Sequence, residues 1–263
     1  DLSGFALNVG AANSSTLGQA GIILNNGANI DGVGSVLNFG TNALNVYVDG
    51  AATSAINVPI TNFRSNANNT LTTGFVKFGP GTLELSAANR FQSNVQVNQG
   101  TLSLTSPNAI PMFGNLNAVV GSEVVIQPGA TVALNGNNQE FGNLSGTSVF
   151  SPVQNMGGTL DLGTAQLTVG RNTGDRVFSG QLIGGVGSTL VKVGASRLTL
   201  DNWDASRPNS LDTLVISQGT VQTWLNDQSW ATPGGFASAI PSTTTVILNG
   251  GSWEAFAIGD NTS

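Results

Sequence analysis

Three short runs between Val76 and Leu104 limit what this chain can fold into. Apolar and polar residues alternate in Leu83-Glu84-Leu85, Val95-Gln96-Val97 and Leu102-Ser103-Leu104. A period of two sends one set of side chains into a core and the other into water, so each run predicts a half-buried strand. Gly79-Pro80-Gly81 and Asn98-Gln99-Gly100 supply turns between them. Runs of the same kind occur at Phe5–Val9, Ile22–Leu24, Val36–Phe39, Leu44–Val48, Val124–Ile126, Thr131–Leu134, Phe141–Leu144, Leu160–Leu162, Leu167–Val169 and Leu190–Val193. No stretch of 11 or more residues shows a helical period. The inward set is predicted to include Leu83, Leu85, Val95, Val97, Leu102, Leu104, Leu198, Leu200, Leu214 and Ile216. Glu84, Gln96, Ser103 and Thr199 are predicted to face out.

The pattern repeats. Lys77, Leu83 and Leu85 match Lys192, Leu198 and Leu200 at an offset of 192 − 77 = 115. Gly100-Thr101-Leu102 matches Gly219-Thr220-Val221 at 219 − 100 = 119, so four residues are inserted between Asp201 and Asp212. The two copies run roughly over 36–134 and 160–258, within one continuous unit spanning 1–263. Two architectures fit so many short strands: tandem antiparallel sandwiches, or a parallel β-helix. The drifting offset favours the β-helix, because a solenoid accepts loop insertions on one wall without disturbing its stacked core. Asn and Gly at the corners fit as well, since both tolerate left-handed backbone. The expectation is an all-β, right-handed parallel β-helix of about a dozen rungs at roughly 20–24 residues per turn, ~55–60 Å long at a strand spacing of ~4.8 Å.

Composition excludes several functions. Only 8% of residues are charged, against about 25% in an ordinary soluble protein. A net charge of −6 offers no cationic surface to nucleic acid. With no His and no Cys, disulfides, thiol catalysis, Cys/His zinc sites and a Ser-His-Asp triad are all ruled out. No apolar run reaches the ~18–20 residues of a membrane span. The opening Asp1-Leu2-Ser3 reads as a processed end or a chosen boundary.

Val76–Leu104 resembles the passenger-associated transport repeat of bacterial autotransporters, also called the autotransporter-associated β-strand repeat. That family reads K-x-G-x-G-T-L-x-L-S-G-x-N-x-(Y/F), then x-V-x-x-G-x-L. Here Lys77, Gly79, Gly81, Thr82, Leu83, Leu85, Ser86, Asn89, Phe91, Val97, Gly100, Thr101 and Leu102 occupy the pattern, with Ala87 where Gly is usual. In the second copy Lys192, Gly194, Leu198, Leu200, Gly219, Thr220 and Val221 fit, while Ala195-Ser196-Arg197 and Asp201-Asn202-Trp203 depart. The resemblance implies a secreted, extracellular β-helix on a bacterial surface and carries no catalytic residues.

Candidate sites are sparse. Asp201, Asp204 and Asp212 lie close together with Trp203 and Arg207. They could offer oxygen ligands to calcium or form a polar loop anchored by one Trp; their spacing matches neither an EF-hand nor the Gly-rich calcium nonapeptide. Asp161, Asp175, Arg171 and Arg176 would be the acidic and basic set of a β-helix polysaccharide lyase or hydrolase, a chemistry that fold alone cannot assign. Trp203, Trp224, Trp230 and Trp253 could form a strip for glycan or protein contact, or fill wide rungs. Lys77 and Lys192 are expected on the solvated face of their strands. No catalytic residue, cofactor or metal is called for. The expected role is non-enzymatic and structural: a stalk, sheath or filament subunit, with adhesion as an added role. Its units would stack end to end through unpaired edges or continue covalently into a longer passenger. A glycan-binding module or host-surface contact is the alternative.

Overall fold

A computed structural model describes residues 1–9, 19–40, 43–62, 73–115, 118–146, 157–202, 207–225 and 240–257. It is all-β, with no helix among the described residues. Every strand pairing among them is parallel except the hairpin of Met112–Asn115 with Ala118–Gly121. Parallel pairing overturns the alternative of antiparallel sandwiches. A meander of hairpins would put neighbouring strands side by side, whereas here a strand's partner is the third or so along the chain.

Strand order explains this. A six-stranded sheet takes Gln19–Asn25, Ala43–Asp49, Thr73–Phe78, Asn94–Val97, Glu123–Ile126 and Asn143–Ser145 in chain order. A seven-stranded sheet takes Asn29–Ile30, Ser54–Ile56, Thr82–Leu85, Gly100–Leu104, Ala130–Ala133, Thr159–Gly163 and Gln181–Gly184, also in order. Between one strand of the first sheet and the next, the chain visits the second. A three-stranded sheet starts at Ala6–Asn8, and sheets of five and four strands hold the C-terminal half; the five run from Gln139–Phe141 to Thr245–Leu248, the four from Arg176–Phe178 to Ser252–Ala257.

Register stacks like on like. Leu44, Phe75, Val95, Val124 and Leu144 are paired in succession, and all five are buried. Leu83, Leu102, Val132, Leu160 and Leu182 form a second buried column. Leu167, Leu190 and Leu214 begin a third. Each fully buried Leu or Val contributes roughly 1.5–3 kcal/mol. Phe75 stacks on Phe91 at 5.7 Å between ring centres, and Phe39 tilts against Phe91 at 6.4 Å, so three buried aromatic rings pack together in the core.

All ten residues expected inside are buried, and Glu84, Gln96 and Ser103 are half-exposed as expected. Thr199 is a correction: it is buried because its Oγ1 donates to Gln222 Oε1 at 3.0 Å on the paired strand, while Arg197 on the same face stays exposed. Left-handed backbone falls on Asn26, Asn108 and Asn135 besides Ser3 and the glycines, which matches the expected corner chemistry. The spacing between partners falls within the expected range of roughly 20–24 residues in some pairs and exceeds it in others. Lys77 to Val97 is 97 − 77 = 20 residues, but Val46 to Lys77 is 77 − 46 = 31 and Ile216 to Leu248 is 248 − 216 = 32. Insertions such as the Met112–Gly121 hairpin lengthen some of the connections between paired strands.

Candidate functional site

The two lysines are not on a solvated face. The chain has no others, and both are buried, Lys77 at 0% and Lys192 at 1% exposure. Parity explains the correction. Lys77 lies two residues after the inward Phe75, and Lys192 two after the inward Leu190. Lys77 pairs in register with Val46 on one side, and with Val97 on the other. Lys192 pairs with Val169 and Ile216. Each therefore replaces one aliphatic member of a buried column, its four-carbon stem lying among apolar neighbours.

The ammonium ends find oxygen at the corners. Lys77 Nζ donates to the carbonyls of Gly79 and Gly81, each at 2.6 Å, and of Gln99 at 2.8 Å. Lys192 Nζ donates to Val193 at 2.6 Å, Gly194 at 2.8 Å and Gln218 at 3.4 Å. An ammonium has three N–H donors and no acceptor, so three carbonyls satisfy it. Burial pushes both groups from 10.5 down to about 8; for Lys192 the charge of Asp175 partly opposes the shift. Both remain cationic at neutral pH. Each ring joins a corner to the corner of the next strand pair, so the lysine ties two levels together.

Asp201 and Asp212 adjoin strands of different sheets. Asp212 Oδ2 accepts from the Gly187 amide at 2.9 Å, and Asp201 follows a strand of a different sheet, its amide donating to Phe178 O at 3.0 Å. Asp204 and Trp203 lie outside the described residues. No three His, Cys, Asp or Glu among the described residues are placed to hold a metal ion. Arg207 donates to Thr159 Oγ1 at 2.7 Å. The proposed lyase set is dispersed as well. Arg171 pairs with Glu140, Arg176 grips Glu123 through Nε and Nη2 at 2.7 and 2.9 Å, Asp175 accepts from Arg197 Nη2 at 3.0 Å, and Asp161 caps the Gly163 amide at 2.9 Å. The three ion pairs have different partners, the Asp161 contact is local to its own strand, and none of these bonds is shared between the four residues.

Of the tryptophans, Trp253 is 44% exposed and its Nε1 donates to Thr223 Oγ1 at 3.1 Å. Trp224 lies in the neighbouring strand Thr220–Leu225, paired in register with Phe256. Trp230 lies outside the described residues. Sequence reasoning missed a second apolar surface on the outer face of the six-stranded sheet. Ile23, Tyr47 and Phe78 follow one another in register across three strands. With Gly21, Ile22 and Asn45 they line a cleft of about 540 Å³. Ile23 is 76% exposed, and Phe78 meets Tyr47 edge to face at 5.2 Å. The available signal was three large apolar residues at outward parity.

No family model, curated protein or solved structure matches the chain.

Proposed function

We propose that the chain winds as a right-handed parallel β-helix and serves as a non-enzymatic structural segment of a secreted bacterial surface protein, of the autotransporter-passenger kind. It would act outside the cell as a stalk, sheath or filament unit. One observation carries this reading: the six- and seven-stranded sheets each collect their strands in chain order and in parallel, with the chain alternating between them. A chain wound this way grows in one direction and keeps the same cross-section, which is what a rod needs. The edge strands Thr245–Leu248 and Ser252–Ala257 leave Ile247, Leu248 and Trp253 in contact with solvent, a surface suited to end-to-end stacking or to further rungs of the same chain. Measuring solution size against concentration, with electron microscopy alongside, tests it. Rods whose axial repeat is near one unit length are expected; compact monomers at every concentration would refute the filament role. Incubation with uronic-acid polymers tests the non-enzymatic part, with no turnover expected.

The cleft at Ile23, Tyr47 and Phe78 favours a second reading, a glycan contact. Aromatic faces pack against the C–H faces of sugars, and this lining is uncharged. A glycan array with the parent chain and Tyr47→Ala tests it; equal binding by both removes this cleft as the site.

A further inference from the structure

We propose that the carbonyl rings around Lys77 and Lys192 are primary-ammonium sites in their own right, each occupied by a lysine of the same chain as a tethered ligand. The proposal does not depend on the biological role of the protein. Its first support is donor count. Three backbone oxygens lie 2.6, 2.6 and 2.8 Å from Lys77 Nζ, one for each N–H of an ammonium. A neutral amine brings only two donors, and a guanidinium offers a planar fork unsuited to a ring around one point.

Its second support is the roof. A Cβ on Gly100 would sit 2.6 Å from Gly79 O, from Gly81 O and from Lys77 Nζ, and the residue has φ +66°. Only glycine closes the ring from that side. At the second corner a Cβ on Gly219 would meet Gly194 O at 2.4 Å and Ser196 O at 2.6 Å, with φ +67°. The same parts recur although the surroundings differ. Lys77 lies in the six-stranded sheet and Thr82–Leu85 after it in the seven-stranded one; Lys192 lies in the five-stranded sheet and Arg197–Leu200 after it in the four-stranded one. The ring thus belongs to the local sequence, Lys-x-Gly followed by a distant Gly-Thr, and not to one wall of the fold. That gives the repeated Lys and Gly residues a physical purpose: they build and fill a cation cage.

Truncation makes the claim testable. Lys77→Ala removes three carbons and the nitrogen, the shape of n-propylammonium. A ligand that binds the folded chain alone raises its stability as its concentration grows, whatever its route of entry. Lys77→Ala and Lys192→Ala are melted in n-propylammonium chloride and in sodium chloride of equal concentration. Each variant is expected to melt below the parent, and propylammonium to recover part of the loss in a saturable way while leaving the parent unmoved. Equal melting in the two salts would overturn the proposal. Should Lys77→Ala not fold, Lys77→Met keeps the apolar stem and lacks the donors. A lowered melting temperature for it supports the cage, and a melting temperature equal to the parent's refutes it.

Discussion

At the Lys77 corner the ammonium reaches Gly79, Gly81 and Gln99; at the Lys192 corner it reaches Val193, Gly194 and Gln218. Two of the three partners are repeat equivalents, Gly79 with Gly194 at 194 − 79 = 115 and Gln99 with Gln218 at 218 − 99 = 119. The third differs. Gly81 has Ser196 as its counterpart, and there the ammonium turns back to Val193 instead. The bond to the next level also lengthens, from 2.8 Å at Gln99 to 3.4 Å at Gln218. Where the Gly-x-Gly turn is intact the ring closes tightly on both levels. Where the turn has drifted to Gly-Ala-Ser, the ion stays but its hold on the next level slackens. The cation is kept under looser geometry because leaving the corner oxygens unpaired in the interior would cost more.

The comparison can be broken at four points, beginning with the largest effect. A charge inside the stack with no oxygen or nitrogen ring to receive it should not be tolerated. Leu85→Asp places a carboxylate in a fully buried column and is expected to cost about 4 kcal/mol or more, read as a shifted denaturation midpoint or an unfolded chain. Next come the lysines. Lys77→Met is expected to cost about 3 kcal/mol and Lys192→Met about 2, since the second ring holds its ion more weakly. Chemical denaturation of both variants measures the difference, and a larger loss at Lys192 would reverse the ranking of the corners.

The third test uses pH. Both groups have a folded pKa of about 8, below the ordinary 10.5. Between those values the unfolded chain holds protons that the folded chain has released, so stability rises with pH across that window. The gain is complete above 10.5, lost as pH falls to 8, and absent below. Denaturation midpoints at pH 7.5 and 9.5 should show the rise in the parent, and each Lys→Met variant should show less of it. The smallest effect belongs to the outer face. Glu123 ties Ser145 on the paired strand and Arg176 in the four-stranded sheet. The ion pair is partly exposed, so Arg176→Met is expected to cost no more than about 1 kcal/mol, and less in high salt.

Alternation made much of the fold legible. Leu83, Leu85, Leu102 and Leu104 announced their columns because a period of two leaves a strand only two ways to face. The repeat offset, by drifting from 115 to 119, pointed to strands stacked with insertions between them. Thr199 escaped because alternation sends a polar residue to water, and here Gln222 on the paired strand accepts its hydroxyl instead. The lysines were misplaced for another reason. Their parity with Phe75 and Leu190 was visible, but a cation at an inward position contradicts the rule that charges face water. Only the turn, bringing the oxygens of Gly79, Gly81 and Gln99 to one point, resolves the conflict, and that convergence joins residues 22 apart. The cleft at Tyr47 was hidden likewise: Ile23, Tyr47 and Phe78 come from separate runs, and register alone makes them neighbours.

Amine acylation read by intact-mass spectrometry tests the inward placement of both lysines most directly. The chain has three primary amines, its α-amino group and the two lysines. Under a brief pulse of an N-hydroxysuccinimide ester, the native chain is expected to take one label and the denatured chain three. Three labels on the native chain, added as fast as on the denatured one, would put both lysines in water and contradict the buried columns, the carbonyl rings and the register that builds them.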